Sequence, residues 1–231
     1  VDLSAEAIKD SVCLMDHTPE ADIKLAASLM HTVSKNSYKT CLEKVRNLGE
    51  EKRENIIKTA FKHMEFYDAV LREFEYVDLT FDLIVSASCF AQLKRHRMAT
   101  LTFQKYNPDL GVTVPPSVQE VGCEKIFMSV MDKTNRVYQD LLQNMELGAE
   151  YVLTNAHRRR VLLKMNAREF YHFSRLREDE TAQWEVRNLA NQMSEKAKQV
   201  MPLTFMLIGG KDSYPEIYRS VFGHSPKFNP P

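Results

Sequence analysis

Residues 77–83 read Val-Asp-Leu-Thr-Phe-Asp-Leu, so apolar and polar side chains alternate strictly along this stretch. Successive side chains of a β-strand point to opposite faces of a sheet, so the alternation predicts a strand with one buried face. Similar alternation at 99–104 and at 158–165 predicts two further strands. Helical spacing surrounds all three, and the sequence therefore predicts an α+β fold with a mixed or antiparallel sheet flanked by helices.

Apolar residues at three- and four-residue spacing predict the helices. In chain order these are 5–15, 21–32, two within 42–65 on either side of Gly49, 86–97, 117–147, a segment that Asn166 starts as its cap, and 181–198. Ser117 is expected to cap the long helix, whose apolar side would consist of Ile126, Val130, Val137, Leu141 and Met145. Residues 1–65 are thus predicted to be a helical N-terminal part of a single domain covering 1–231, and the start at Val1 without a methionine indicates either processing or excision from a longer chain.

Composition excludes several classes of function. Lysine and arginine total 31, as do aspartate and glutamate, so no general attraction for nucleic acid or an anionic membrane is expected. No stretch approaches the roughly 18 apolar residues of a membrane span, which predicts a soluble protein. The cysteines lack the paired spacing of a zinc site or a small disulfide framework, which predicts reduced, cytoplasmic thiols and no metal. They are Cys13, Cys41, Cys89 and Cys123.

The tripeptide Arg95-His96-Arg97 places two forked, permanently charged donors around one titratable ring. Such a set suits a pyrophosphate and an electron-rich heterocycle. The alternative is a basic helix end that complements the helix dipole. The tripeptide alone does not decide between them.

A second constellation starts at Asn166-Ala167-Arg168 and continues through His172 and Leu176-Arg177 to Ala182-Gln183-Trp184-Glu185. It resembles the carboxy-terminal signature of the flavin-dependent thymidylate synthases. The Arg-His-Arg run, with Gln92 three residues before it, resembles the defining motif of the same family, and the two blocks occur in the family's order. Phe74-Glu75 resembles the segment before the family's strand, so the likeness spans roughly residues 70–200.

The resemblance implies a reaction and its participants. FAD would be reduced by NADPH, a one-carbon unit would come from methylenetetrahydrofolate, and the uracil ring of dUMP would be methylated without a protein cysteine nucleophile. Sites would lie between the subunits of a homotetramer, or between the domains of a tandem protein. The implied cofactor-binding residues are Arg95, His96, Arg97, Asn166, Arg168 and His172.

Arg177 is implied to be catalytic and to bind substrate, because a fixed guanidinium beside the uracil would stabilise the negative charge that builds on the ring. Gln92 would bind substrate nearby. The alternative for Arg177 is a surface ion pair with the acidic residues at 178–180. For His172 a cofactor contact and a packing role remain equally open.

The chain departs from the family pattern after the Arg-His-Arg run. Thr100 is a conservative replacement, but the family's polar or charged contacts are replaced by Thr102, Phe103, Lys105 and Asn107. Glu150 stands where a substrate-binding arginine is expected, and Val70 and Arg72 replace further family residues. Lys105 or Arg158-Arg159-Arg160 would be replacement phosphate contacts, or else solvated charge at a strand edge.

Three hypotheses follow from the sequence. The first is an FAD-dependent thymidylate synthase that acts on dUMP or a related nucleotide. The second is a catalytically degenerate flavin-binding or assembly domain of a tandem protein. The third is a nucleic-acid module that uses the arginine run at 158–160, which the neutral net charge disfavours.

Overall fold

The computed structural model describes residues 10–145 and 148–228. Their strands are β1 (Val12–His17), β2 (Asp78–Ser86), β3 (Thr100–Phe103) and β4 (Arg158–Asn166), hydrogen-bonded in the order β1-β2-β4-β3. At the two ends of the β2–β4 pair, Ala87 N–H donates to His157 O and Ala167 N–H donates to Val77 O, so the pair is antiparallel. The predicted α+β fold is confirmed, with an antiparallel sheet.

The predicted central strand is confirmed in its position and in the face that it buries. Leu79, Phe81 and Leu83 are fully buried, whereas the intervening polar residues are half-buried. The strand predicted at 158–165 is β4, in which Arg159, Val161 and the following odd-numbered residues are buried. Alternation therefore located both strands and identified the core face.

Helices make up most of the remaining described chain. They are α1 (Ala21–Thr32), α2 (Tyr38–Arg46), α3 (Glu50–Phe61), α4 (Ala87–Leu93), α5 (Pro116–Glu120), α6 (Glu124–Asn144), α7 (Ala167–Arg177), α8 (Trp184–Val200) and α9 (Tyr214–Phe222). Within 42–65 the helices do flank Gly49, as predicted. The single domain over 1–231 stays a prediction.

The chain forms two compact units. The first contains the described residues up to Cys13 together with Asp82–Arg95 and Leu101–Leu162. The second contains Leu14–Phe81, His96–Thr100 and the chain from Leu163 onward. Aromatic side chains dominate the core of the second unit, where Phe61, Phe74, Phe170, Phe173 and Phe205 are all at most 1% exposed.

Two predicted element boundaries and one predicted helix are wrong. The helix predicted at 5–15 falls partly outside the described residues, and 12–17 forms strand β1, because Ser11 O accepts from Ile84 N–H and Thr18 N–H donates to Asp78 O. The spacing of apolar residues in this short stretch is compatible with either a helix or a strand, and hydrogen bonding to β2 decides for the strand. The helix predicted at 86–97 ends at Leu93.

The long helix begins at Glu124 instead of Ser117. Ser117 lies in the short helix α5, and Gly122 follows with φ of 69°, a left-handed conformation that interrupts the helical path. Helix α9 was missed, although Pro215 in its first turn and Gly223 after its end are start and stop signals. The Tyr214 hydroxyl donates to Met64 O at 2.5 Å and fastens this helix.

The predicted apolar side of α6 is not buried within the chain. Ile126 is 68% exposed, and Val130 and Val137 are each 48% exposed. At roughly 100° per residue these three side chains form one stripe, while the buried Met131 and Tyr138 lie roughly 100° around the helix from it. Helical periodicity identified the apolar stripe correctly, but it did not show that the rest of the chain leaves the stripe exposed.

A buried histidine ties the turn before β4 to α6 in the first unit. His157 is 0% exposed; its Nδ1 accepts from Thr154 N–H at 2.9 Å, and its Nε2 lies 2.8 Å from Asn135 Oδ1. A backbone N–H can only donate, so Nδ1 is unprotonated and Nε2–H donates to Asn135. Burial lowers the pKa of the His157 imidazole from its ordinary value.

This histidine predicts a loss of stability in mild acid. In the unfolded chain His157 takes up a proton near pH 6.5, whereas in the folded chain it does so only at lower pH. Unfolding therefore binds a proton, and the free energy of unfolding falls as pH drops through 6.5, by at most about 1.4 kcal/mol per pH unit. Urea denaturation between pH 7.5 and 5.5 should show a shallower fall in His157→Gln. The exposed-histidine control His31→Gln should keep the wild-type slope, and equal slopes in all three proteins would contradict the prediction.

Candidate functional site

The candidate site is built where β4 runs directly into α7, in the second unit. Asn166 ends the strand and caps the helix, because its Oδ1 accepts from the backbone N–H of Glu169 at 2.8 Å. Ala167 N–H still donates to Val77 O of the neighbouring strand segment. The first turn of α7 is therefore held by a side-chain cap and by the sheet together.

One face of α7 lines a cavity of about 450 Å³. Arg168, His172, Arg175 and Leu176 stand at helical spacing along this face, and Asn166 lies at its start. The facing walls come from 66–70, Glu75, Met98 and Lys211. Three predicted cofactor residues, Asn166, Arg168 and His172, are thus brought together; their roles remain predictions.

Arg168 is held from two sides. Its Nε donates to Val70 O and its Nη1 donates to Glu75 Oε1, both at 3.0 Å. Glu75 also accepts from Arg72 at 3.2 Å. The Arg72 hydrogen bond, and then that of Arg168, lower the pKa of the Glu75 carboxyl, which stays ionised. Two of the five N–H donors of the Arg168 guanidinium are therefore engaged, in a fixed plane.

Arg175 shapes the cavity wall and was missed from the sequence. Its guanidinium donates to the backbone carbonyl oxygens of Phe66 and Asp68, the first at 2.7 Å, and lies 5.4 Å from the ring centre of Tyr214. Burial lowers the pKa of the Arg175 guanidinium. The signal was its spacing of three residues from His172 and seven from Arg168 on α7, which places 168, 172 and 175 on one face of the helix.

His96 is buried while both arginines of the Arg-His-Arg run are exposed. Its ring lies against α7, where Nε2 is 2.9 Å from Arg177 Nε and Nδ1 is 3.3 Å from Glu169 Oε1. Phe173 packs edge-on against the ring, with ring centres 4.9 Å apart. Two residues that the sequence placed in different motifs, His96 and Arg177, are thus hydrogen-bonded to each other.

The remaining predicted site residues are placed differently. Arg97 belongs to the second unit, is exposed, and is not among the residues that line the cavity. Arg95 and Gln92 belong to the first unit, where Arg95 is exposed and Gln92 is half-buried. Their predicted ligand contacts stay predictions.

The acidic neighbours of Arg177 have partners of their own. The Glu178 carboxylate accepts from Ser174 and Ser194, and Asp179 is 3.4 Å from Lys211. The Arg177 bond to His96 adds a buried contact that the surface ion-pair alternative did not foresee.

The arginine run at 158–160 has partners within the first unit. Arg158 Nε donates to Thr113 Oγ1 at 2.9 Å and Arg160 Nη1 lies 2.5 Å from Asp82 Oδ2. The buried guanidinium of Arg159 lies 3.8 Å from the Tyr106 ring centre and 4.5 Å from that of Phe103. The run is integrated into this unit instead of forming a row of solvated charge.

Among residues 10–145 and 148–228, no group of three or more His, Cys, Asp or Glu side chains is placed to hold a metal ion. In the same part of the chain, no helix is long and apolar enough to cross a membrane.

Fold and site together define an α+β protein with a helix-lined cavity carrying cationic and amide donors. Residues 13–203 match the family Thy1, described as thymidylate synthase complementing protein. The chain therefore belongs to the flavin-dependent thymidylate synthase family.

Several relatives carry that name. A flavin-dependent thymidylate synthase of Geobacter sulfurreducens is 31% identical over 84% of both chains, and one of Clostridium tetani is 28% identical over 86% of both. One of Sulfolobus acidocaldarius is 37% identical over 51% of this chain, and the match spans 48% of that relative. A UPF0159 protein of Chlamydia muridarum is 24% identical over 85% of this chain but over only 37% of its own length.

Replacing Arg175 tests the cavity wall. Arg175→Met removes the donors to two carbonyl oxygens and leaves them unsatisfied, which should lower the free energy of unfolding by about 2–4 kcal/mol. Arg72→Met is the matched control, because the Arg72 side chain is 82% exposed and its loss should change stability by less than about 0.5 kcal/mol. Urea denaturation measures both, and equal effects would refute the role of Arg175.

Proposed function

We propose that this chain binds FAD and reductively methylates dUMP to dTMP, with methylenetetrahydrofolate and NADPH as co-substrates. The observation that carries the proposal is the meeting of Asn166, Arg168 and His172 at one cavity in a member of this family. The buried Cys41 thiol forms no disulfide, which agrees with a reducing, cytoplasmic setting.

The cavity residues fit a flavin ring. A cavity of about 450 Å³ lies within the range of small-molecule sites. An isoalloxazine has carbonyl oxygens and ring nitrogens that accept hydrogen bonds, and a flat apolar face. Because Asn166 Oδ1 serves as the cap, its amide N–H groups are the part able to meet such acceptors, beside Arg168. Tyr67, Met98 and Leu176 supply apolar lining.

Each residue has a distinct role in this proposal. Bound FAD would supply the reducing equivalents. Arg168 would donate charge-assisted hydrogen bonds to it, and Glu75 would keep the guanidinium in plane. Arg177 would stabilise negative charge on the uracil ring, since a guanidinium cannot lose its proton at neutral pH.

Bound cofactor and isotope release test the proposal. The purified protein should be yellow and release FAD on denaturation, and it should release tritium from dUMP labelled on the uracil ring. Arg168→Gln should weaken FAD binding about 10- to 100-fold through loss of charged hydrogen bonds, whereas Arg72→Gln should not. A colourless protein that also fails to bind added FAD would refute the proposal.

The alternative is a catalytically degenerate flavin-binding or assembly domain of a tandem protein. Two observations favour it: the replacement of family contacts by Thr102, Phe103, Lys105 and Asn107, and the match to about a third of the Chlamydia relative. The Phe103 ring packs on Arg159, which gives that replacement a structural use. Bound FAD without tritium release would favour this alternative.

We further propose that copies of this chain, or its tandem partner, assemble on the exposed stripe of α6 into a homotetramer or an equivalent arrangement. Exposed Ile126, Val130 and Val137 lie along one side of α6 and form an apolar stripe of the kind that marks protein interfaces. Burial of these side chains would stabilise an assembly by roughly 25 cal/mol per Å² of apolar area.

Charge placed on the stripe tests this assembly. In Val130→Glu the carboxylate would be desolvated at the interface, so the molar mass from light scattering should fall to that of one chain. Gln143→Glu adds the same charge elsewhere on α6 and should leave the mass unchanged. A wild-type protein that is monomeric at all concentrations, or a Val130→Glu protein with the wild-type mass, would contradict assembly through α6.

A further inference from the structure

We propose that His96 is a positioning residue that holds the Arg177 guanidinium through a Glu169–His96–Arg177 relay, with the His96 ring fixed as the neutral Nδ1–H tautomer. The inference rests on the proposed function, since it assigns a use to the bond only if Arg177 acts on the substrate. Resemblance alone implied that His96 contacts the cofactor. In the structure both ring nitrogens of His96 have partners within the protein, Arg177 at Nε2 and Glu169 at Nδ1.

The direction of the hydrogen bond between Arg177 and His96 follows from chemistry. A guanidinium carries five N–H donors and no acceptor, so at 2.9 Å from Arg177 Nε the Nε2 atom of His96 must present its lone pair. A neutral imidazole then carries its proton on Nδ1, which faces Glu169 Oε1 at 3.3 Å. The carboxylate thereby selects the tautomer that can accept from Arg177.

Helix α7 supplies both ends of the relay. Glu169, Phe173 and Arg177 are four residues apart and share one face of the helix. The His96 ring packs edge-on against Phe173, with ring centres 4.9 Å apart, and bridges Glu169, one turn before Phe173, to Arg177, one turn after it. The fully buried Phe173 gives the ring a rigid base.

Burial protects the contacts of His96 from competition by water. The His96 side chain is 4% exposed and that of Glu169 is 10% exposed, so water competes poorly for either group. The Glu169 charge offsets that of Arg177 across the neutral ring. Because the bond engages Nε, at the stem of the guanidinium, it orients the whole plane and therefore the outer nitrogens Nη1 and Nη2 of Arg177.

Paired variants separate positioning from packing. His96→Gln keeps an acceptor oxygen within reach of Arg177 Nε, whereas His96→Leu fills similar space without an acceptor. With FAD and dUMP, His96→Leu should lower kcat about 10- to 100-fold with little change in bound FAD or in KM for dUMP, and His96→Gln should recover most of that loss. In an Arg177→Ala background His96→Leu should not lower kcat further, because the guanidinium that His96 would position is then absent.

The tautomer gives a readout that does not need activity. Solid-state ¹⁵N NMR of histidine-labelled wild-type protein, with the His96 signals assigned by their loss in His96→Gln, should show a protonated Nδ1 and an unprotonated Nε2. Protonation at Nε2 would overturn the relay even if His96→Leu fails to fold. Wild-type kcat in His96→Leu, no recovery in His96→Gln, or additive losses with Arg177→Ala would overturn the positioning role.

Failure of the proposed function is distinguishable from failure of this inference. A wild-type protein that binds no FAD and releases no tritium removes the proposed function, and the NMR result still decides the relay. An active wild-type protein with the Nε2–H tautomer removes the relay alone.

Discussion

The hydrogen bond from Glu169 N–H to Asn166 Oδ1 is the contact on which the candidate site depends. It fixes the point where β4 ends and α7 begins, and therefore the rotation of α7 about its own axis. That rotation directs Arg168, His172 and Arg175 toward the cavity and Glu169 and Arg177 toward His96. One capped helix thus presents side chains both to the cavity and to His96, and Glu169 takes part in both.

Charge in the second unit is arranged in local pairs. Arg168 is matched by Glu75, and Arg177 is connected to Glu169 through His96. Arg175 differs, because its described acceptors are carbonyl oxygens and a methionine sulfur. A buried guanidinium is stable only when its N–H groups are hydrogen-bonded. The backbone of 66–68 must therefore run along the cavity where its carbonyl oxygens can accept from Arg175.

Phe103, one of the departures from the family pattern, has a packing role in the first unit. Phe103 and Tyr106 stack on the buried Arg159 guanidinium, so aromatic rings there contribute packing and cation–π attraction. The Nε of Arg159 has no hydrogen-bond partner among the described residues, which leaves the rings as the principal compensation for its charge. The phosphate-contact role considered for this run is therefore not needed to explain Arg159.

The sequence by itself determined the α+β class, the buried face of β2, the strand β4 and the Asn166 cap, because each depends on local periodicity or on one side chain bonding its own backbone. The resemblance to a family also predicted that Asn166, Arg168 and His172 belong to one cofactor site. Only the tertiary structure decided that 12–17 is a strand, that the α6 stripe faces outward, and that His96 bonds Arg177. These outcomes depend on partners distant in the chain, and local spacing carries no information about which distant atoms lie within hydrogen-bonding reach.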